Sequence, residues 1–414
     1  MTVPTVLHPF AAPARSAGDY LEIVRAEGCR LEDAAGRRYL DGTAALWFCA
    51  AGHGRREISD AVAAQMRELD AFHTFGSFTN APEQRLAALL AELEPIPDAR
   101  VLLVNSGSEA IDSAMKLTRA GHRANGQAGR TVFLTRIGAY HGVMIGGTSI
   151  GGLPANRRSF GPLLGDCFQV QRDSLEAMRA AVEYHGPDRI AAIFTEPVQG
   201  AGGVFPPPDG YLEGLRQLCD ECGAILVFDE VITGFGRLGS WFASHHYGVT
   251  PDLMTFAKGV TSGYLPLGGV VVGPRLRGWL EAEEEYLLAH GGTYAGHPTC
   301  CAAAVANLEI LRSERLPERA AVAGRRLRAG LQALASRPGV AEVRGEGLMQ
   351  ALGLAPGLAA AAVVAGLLSR GVIGRPIPSA NTVAFSPPLV ISDDEIDELL
   401  SALDGALREA AAAA

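Results

Sequence analysis

The chain reads as an α/β protein, a large domain on a mostly parallel sheet followed by a smaller α+β domain. Between residues 101 and 272 short apolar runs alternate with amphipathic helical stretches. Each run lies near Gly, Pro or polar breaks, the pattern of strand–helix units laid side by side. From residue 314 onward long helices and short strands replace that alternation. At 414 residues the chain exceeds one ordinary core, so two domains are expected.

Taken in order, Leu31-Glu32-Asp33 and Arg38–Gly42, around Gly36, read as a hairpin. Residues 1–50 form an N-terminal segment expected to join the small domain, with the large domain over 51–298 and the small one over 299–414. Strands are expected at Val101–Val104, Thr131–Leu134, Ile190–Phe194, Ile225–Phe228 and Val270–Val272. Helices are expected at Ile111–Ala120 and Tyr211–Glu221. Ligands of such sheets sit at the strands' carboxyl ends. Glu314–Ser336 reads as a long helix and Leu348–Leu354 as a strand. Ala351–Leu368 carries no charge over eighteen positions, but Pro356-Gly357 divides it into a strand and a buried helix rather than a membrane span. Short strands at Val372–Pro376 and Thr382–Phe385 follow. Ser392-Asp393-Asp394-Glu395 then gives the closing helix a capping box and an acidic first turn.

Composition excludes several classes. A net charge of -9 argues against nucleic-acid binding. No apolar leader is visible in Met1–Tyr20, and seven cysteines without framework spacing fit a reducing, cytoplasmic setting. Cys219 and Cys222 form a lone C-x-x-C on a helix, and Cys300-Cys301 lie in an Ala-rich helical stretch. Packing explains both pairs, and no metal site is expected.

Only two lysines occur, Lys116 and Lys258, against 34 arginines. Lysine does what arginine cannot: it loses its proton and acts as a nucleophile. Lys258 closes the run Leu253–Ala257, and the run Ala224–Phe228 ends in Asp229-Glu230. A lysine and an acid at two strand ends are what a pyridoxal phosphate enzyme requires, one for the Schiff base and one for the pyridine nitrogen. Lys116 reads as part of a solvated helix face.

Other strand ends carry candidates. Val101–Val104 runs into Asn105-Ser106-Gly107-Ser108-Glu109-Ala110 and a helix, a device that presents free N–H groups to a phosphate but is also an ordinary capping turn. Tyr140-His141-Gly142 follows Thr131–Leu134; its aromatic suits a flat ring, and His141 suits packing or hydrogen bonding. Glu196 ends Ile190–Phe194. Gly234-Phe235-Gly236-Arg237-Leu238-Gly239 matches G-x-G-x-x-G. It starts beyond the strand end, and neither a helix nor a strand-end acid follows, so it reads as a loop letting backbone pass close to the site.

Together these motifs resemble the class III pyridoxal-phosphate aminotransferases, and within them the amine:pyruvate (omega) transaminases. The resemblance runs from about Asp41 to the last helix, through Asn105–Ala110 with Lys116, Tyr140–Gly142, Glu196–Gly203, Asp229–Arg237, Ala257–Gly259 and Thr293–Pro298. It implies fold type I and pyridoxal 5′-phosphate as cofactor, with Lys258 as its lysine and Asp229 on its ring nitrogen. Tyr140 and Val231 would flank the ring, Gly107 and Ser108 would cradle the phosphate, and Glu196 would lie beside them. Thr293 matches a threonine that reaches the neighbouring subunit's phosphate, which implies a homodimer or larger assembly with shared sites.

For substrates the resemblance implies an amine donor and a keto acid. Trp47, Phe75 and Phe78 match segments lining the donor pocket, with core packing as the other reading. Val143 stands where 2-oxoglutarate users typically carry an arginine, and Arg375 matches the mobile arginine of amine:pyruvate enzymes, a surface ion pair being its alternative. Pyruvate is the expected acceptor; a 2-oxoglutarate enzyme, or a racemase or aminomutase on the same scaffold, remains open.

Overall fold

The computed structural model describes residues 5–413. Near the N-terminus β1 (Ile23–Glu27), β2 (Arg30–Asp33) and β3 (Arg38–Asp41) form an antiparallel meander whose second hairpin turns at Gly36, φ +80°. The central sheet holds β4 (Arg100–Val104), β5 (Val132–Arg136), β6 (Cys167–Val170), β7 (Ile190–Thr195), β8 (Ile225–Asp229), β9 (Leu253–Phe256) and β10 (Gly268–Val272). Their order is β4-β10-β9-β8-β7-β5-β6. Only β10 opposes its neighbours β4 and β9. The link Ala257–Leu267 makes one short turn, Lys258–Val260, and no crossover helix, so the chain returns antiparallel.

Strands β5, β7, β8, β9 and β10 are buried at every position, as a sheet covered on both faces requires. Alternate residues serve opposite faces. Ile225 and Val227 pack with the helix Gly107–Ala124, while Leu226 and Phe228 pack with the helix Tyr211–Cys222. Strand β6 was not expected: it lies at the sheet's edge, and its Phe168 is exposed, so no continuous apolar run marks it.

A third sheet contains β11 (Val340–Glu346) and β12 (Met349–Leu354). Next in the chain, β13 (Val372–Ile373) pairs in parallel with β3 and so ties the N-terminal meander to the C-terminal third. Beyond Gly374, β14 (Arg375–Ile377) and β15 (Thr382–Phe385) complete the third sheet in the order β11-β12-β15-β14. The uncharged stretch resolves into β12 and the helix Ala360–Ser369. That helix is not buried all round as expected; it covers Ala360, Val363 and Leu367 on one stripe and exposes Leu368. Among the described residues no helix is long and apolar enough to cross a membrane. Ser392 and Glu395 form the anticipated capping box, each side chain accepting from the other's N–H at 3.2 and 3.0 Å.

The Gly234–Gly239 loop goes elsewhere than expected. Gly236 and Gly239 have φ of +94° and +95°, and a Cβ there would strike Leu389 and Ala321. Arg237 is buried and donates to the carbonyls of Leu348 (3.2 Å) and Pro387 (2.5 Å). These glycines let backbone approach the C-terminal helices, not the site.

Candidate active site

Asp229 is the last residue of β8, and neighbouring strands supply its partners. Its Oδ1 accepts from Val231 N and from Thr255 Oγ1 of β9, both at 3.2 Å. Its Oδ2 lies 2.8 Å from His141 Nδ1, and His141 Nε2 lies 3.1 Å from Thr135 Oγ1 of β5. Nδ1–H donating to the carboxylate, with Nε2 accepting from the threonine, satisfies both ring nitrogens. Glu230 turns to the opposite face, as strand alternation dictates. It accepts from Ala243 N (2.6 Å), Ser244 N (2.8 Å), Thr233 Oγ1 (3.0 Å) and Ser244 Oγ, and so fixes the start of the helix Ala243–Tyr247.

Lys258 begins the short turn after β9 with φ +47°. Its surroundings exclude water except toward a cavity, and this burial pulls the ammonium pKa down to about 8. Asp229 and Glu196 oppose that shift, while Arg375 adds to it. Glu196 is buried just past β7; Oε1 accepts from Tyr140 N at 3.0 Å and Oε2 from Gly200 N at 2.9 Å. Burial raises its pKa. The fully buried Arg136 guanidinium donates to the Glu196 carbonyl and pairs with Asp173 at 3.2 Å, which fixes this turn.

At the start of the helix Gly107–Ala124, Ser106 Oγ accepts from Glu109 N at 3.1 Å, and Glu109 Oε2 accepts from Asn105 N at 2.8 Å. Helix geometry leaves the N–H groups of Gly107 and Ser108 without intrahelical acceptors. A Cβ on Gly107 would lie 3.0 Å from Val231, so only glycine keeps this approach open. Ser108 Oγ is engaged by Val143 N at 3.0 Å.

Seven of the expected cofactor residues, Gly107, Ser108, Tyr140, Glu196, Asp229, Val231 and Lys258, line one cavity of about 140 Å3. Thr293 does not line it and is exposed. Trp47, 4% exposed, packs in a cluster with Val198 and Ile232, which are cavity walls, but does not itself line the cavity. Phe75, Phe78 and Val143 are 49%, 54% and 60% exposed and also stand outside it. The loop carrying the two phenylalanines is tied outward, through Thr74 Oγ1 to Ala295 O at 3.0 Å and Asn80 Nδ2 to Gly296 O at 2.8 Å. Arg375 is partly buried near Tyr140, burial lowering its pKa and Tyr140 opposing. It has no ion pair among the described residues, and its buried Nε has no hydrogen-bond partner. No contact within the described residues of this chain supports the surface-pair reading of Arg375.

Sequence reasoning missed Thr135, Thr255 and Arg136, whose only signal was a polar residue ending or interrupting an apolar strand. A lysine, an orientated carboxylate and a helix N-terminus around one cleft are the parts a pyridoxal phosphate enzyme requires. The chain matches the family model Aminotransferase class-III over residues 12–407 and belongs to that family. It is 36% identical to a β-alanine–pyruvate aminotransferase of Pseudomonas aeruginosa, over 96% of this chain and 94% of the relative. It is 33% identical to a diaminobutyrate–2-oxoglutarate transaminase of Halomonas elongata, over 94% and 90%. Among solved structures it superposes on a PLP-bound amine transaminase from an uncultivated Pseudomonas species with TM-score 0.93, at 36% identity and covering 98% and 99%. The protein is thus a class III aminotransferase of fold type I, and its cofactor is pyridoxal 5′-phosphate.

Proposed function

We propose that this aminotransferase moves an amino group from an amine or omega-amino compound to pyruvate by a ping-pong mechanism. The observation that carries the reading is Arg375, a guanidinium with no protein partner close enough to lower the Lys258 pKa. Its fork suits one carboxylate held bidentately. Val143 offers no charge for a second, distal carboxylate, which favours pyruvate over 2-oxoglutarate. The P. aeruginosa relative is named for pyruvate and the H. elongata relative for 2-oxoglutarate, so the acceptor rests on these two residues.

The cleft fits the cofactor: the Gly107 approach leaves room that a side chain would fill, and a lysine, a carboxylate and free helix N–H groups surround it. Bound there, the cofactor supplies an electron sink for the carbon bearing the amine. Gly107 and Ser108 would hold its phosphate, Tyr140 and Val231 its ring, and Glu196 the Tyr140 turn. Asp229, held by His141 and Thr255, would keep a proton on the ring nitrogen. Lys258 would hold the cofactor covalently and, once free and neutral, carry a proton from the substrate carbon. Trp47 supports the donor pocket from behind Val198 and Ile232, which favours apolar amines.

The same reading takes the active form as a homodimer or larger assembly in which Thr293, Phe75 and Phe78 complete the neighbour's site. Their exposure in the single chain supports this. The division into 1–50, 51–298 and 299–414 is supported by the β3–β13 pairing, and a cytoplasmic setting by seven unpaired, buried cysteines. Incubation with an apolar amine and either keto acid tests the acceptor. Alanine should form from pyruvate far faster than glutamate from 2-oxoglutarate, with parallel double-reciprocal lines. Faster glutamate formation overturns the acceptor, and epimerisation or rearrangement of the donor without keto product overturns the transaminase reading.

A further inference from the structure

The helix Gly107–Ala124 carries, beyond its first turn, a chain of contacts that the reaction does not use. Lys116 Nζ lies 2.9 Å from His290 Nδ1, and His290 Nε2 lies 2.8 Å from Ser113 Oγ. Ser113 and Lys116 are three residues apart and share a helix face. An ammonium only donates, so Nδ1 must accept and Nε2 must carry the proton toward Ser113. One neutral tautomer of His290 satisfies both contacts.

His290 sits three residues before Thr293. Between them Gly292 rests on the helix start, where a Cβ would lie 3.6 Å from Asn105 Nδ2 and 4.0 Å from Glu109 Oε2. The loop is therefore tied to the same helix that presents Gly107 and Ser108. Lys258 and Lys116 are the only lysines of the chain, against 34 arginines. A guanidinium fork is built for two parallel acceptors, whereas a single ring nitrogen suits a point donor. Lys116 is exposed, as a solvated helix face requires, and its ammonium still finds a partner in His290.

We propose that Lys116, His290 and Ser113 form a latch that sets the loop bearing Thr293, making Lys116 a positioning residue for the cofactor phosphate. The proposal rests on the reading that Thr293 reaches that phosphate in the neighbouring subunit. It gives the latch a pH sense. Burial, then the Lys116 charge, lowers the His290 pKa, which favours the neutral ring that both contacts need. A proton gained on Nδ1 removes the acceptor for Lys116 and sets two cations together, so the latch holds above the His290 pKa and opens below it. Other charges nearby are committed or exposed. Glu109 binds Asn105, Asp112 accepts from Gly146 and Gly147, and Glu283, Glu284 and Glu285 on the loop's own segment face solvent.

The test is the rate at which holoenzyme loses cofactor to an excess of a trapping apoprotein, read by absorbance from pH 5.5 to 8. Lys116→Met and His290→Gln should each release it about three- to tenfold faster at pH 7.5. The double variant should release it no faster than the quicker single, because both remove one unit. Wild type should show an acceleration on acidification that both variants lack. Thr293→Ala serves as the reference, and circular dichroism of each apoprotein checks folding. If Thr293→Ala releases cofactor faster but the latch variants match wild type at every pH, the latch is wrong. If Thr293→Ala itself changes nothing, the phosphate role of Thr293 fails first. Additive effects of Lys116→Met and His290→Gln, with the acid response retained, would reduce the contacts to ordinary packing.

Discussion

At the floor of the cleft Asp229 has three protein partners and Glu196 two, all drawn from neighbouring strand ends and turns of one chain. At the rim Phe72, Phe75, Phe78 and Tyr294 stand about half exposed or more, and Thr293 does not line the site cavity. Phe72 and Phe78 meet edge-on at 5.2 Å and His73 joins them, a cluster facing solvent rather than core. Buried polar groups need partners at once, so the floor must be complete before any ligand arrives. A contiguous exposed apolar rim is instead the mark of a surface meant to be covered. On the proposed reading, one half of the site is a product of folding and the other of assembly.

The largest effect separating the two halves is expected at the floor. Lys258→Ala should lower turnover by about 10²–10⁴-fold from lost proton transfer alone, measured by stopped-flow in the presence of an added amine. In wild-type apoprotein the rate of cofactor attachment should rise with pH, because only the neutral amine attacks. Half the rise should fall near 8, where burial sets Lys258, and not near the free-lysine value of about 10.4. Turnover in the variant within about tenfold of wild type, or attachment still climbing only above pH 10, would break the account of the floor.

A smaller effect is expected between floor and rim. Arg375→Ala should weaken keto-acid binding by about 2–5 kcal/mol, because it removes the only partner of a desolvated carboxylate. The amine half-reaction should change much less. An unchanged pyruvate KM in this variant would sharpen the comparison against us, since it would leave the acceptor without an anchor.

How much of this was visible in the sequence follows the same division. The runs ending at Asp229 and Lys258 are local, and apolar periodicity marks each strand end directly. Two partners of Asp229 are not local: Thr255 meets it only because β9 lies beside β8, and His141 reaches it from the loop after β5, where Thr135 holds the ring's other nitrogen. Asp229-Glu230 showed two acids, but only the strand's alternation decides that one faces the cleft and the other caps a helix. Gly234–Gly239 looked site-directed because a glycine pattern records that backbone approaches something without saying what. Lys116 and His290 are 174 residues apart, beyond any local pattern. At the rim, Phe75, Phe78 and Thr293 carry no burial pattern of their own, and the motif resemblance alone marked them.

The central claim is that the floor of each site and its rim come from different chains, and hybrid oligomers test it directly. Lys258→Ala lacks the floor's lysine; Thr293→Glu sets a carboxylate where a phosphate should lie. Each protein alone should be nearly inactive. After the two are dissociated, mixed and reassociated, half the dimers are hybrids. In each hybrid one site has both Lys258 and the neighbour's Thr293 intact. The account predicts recovery to about one quarter of wild-type activity. If mixing restores nothing, while wild type carried through the same cycle recovers fully, Thr293 serves its own chain and the division of floor from rim is wrong.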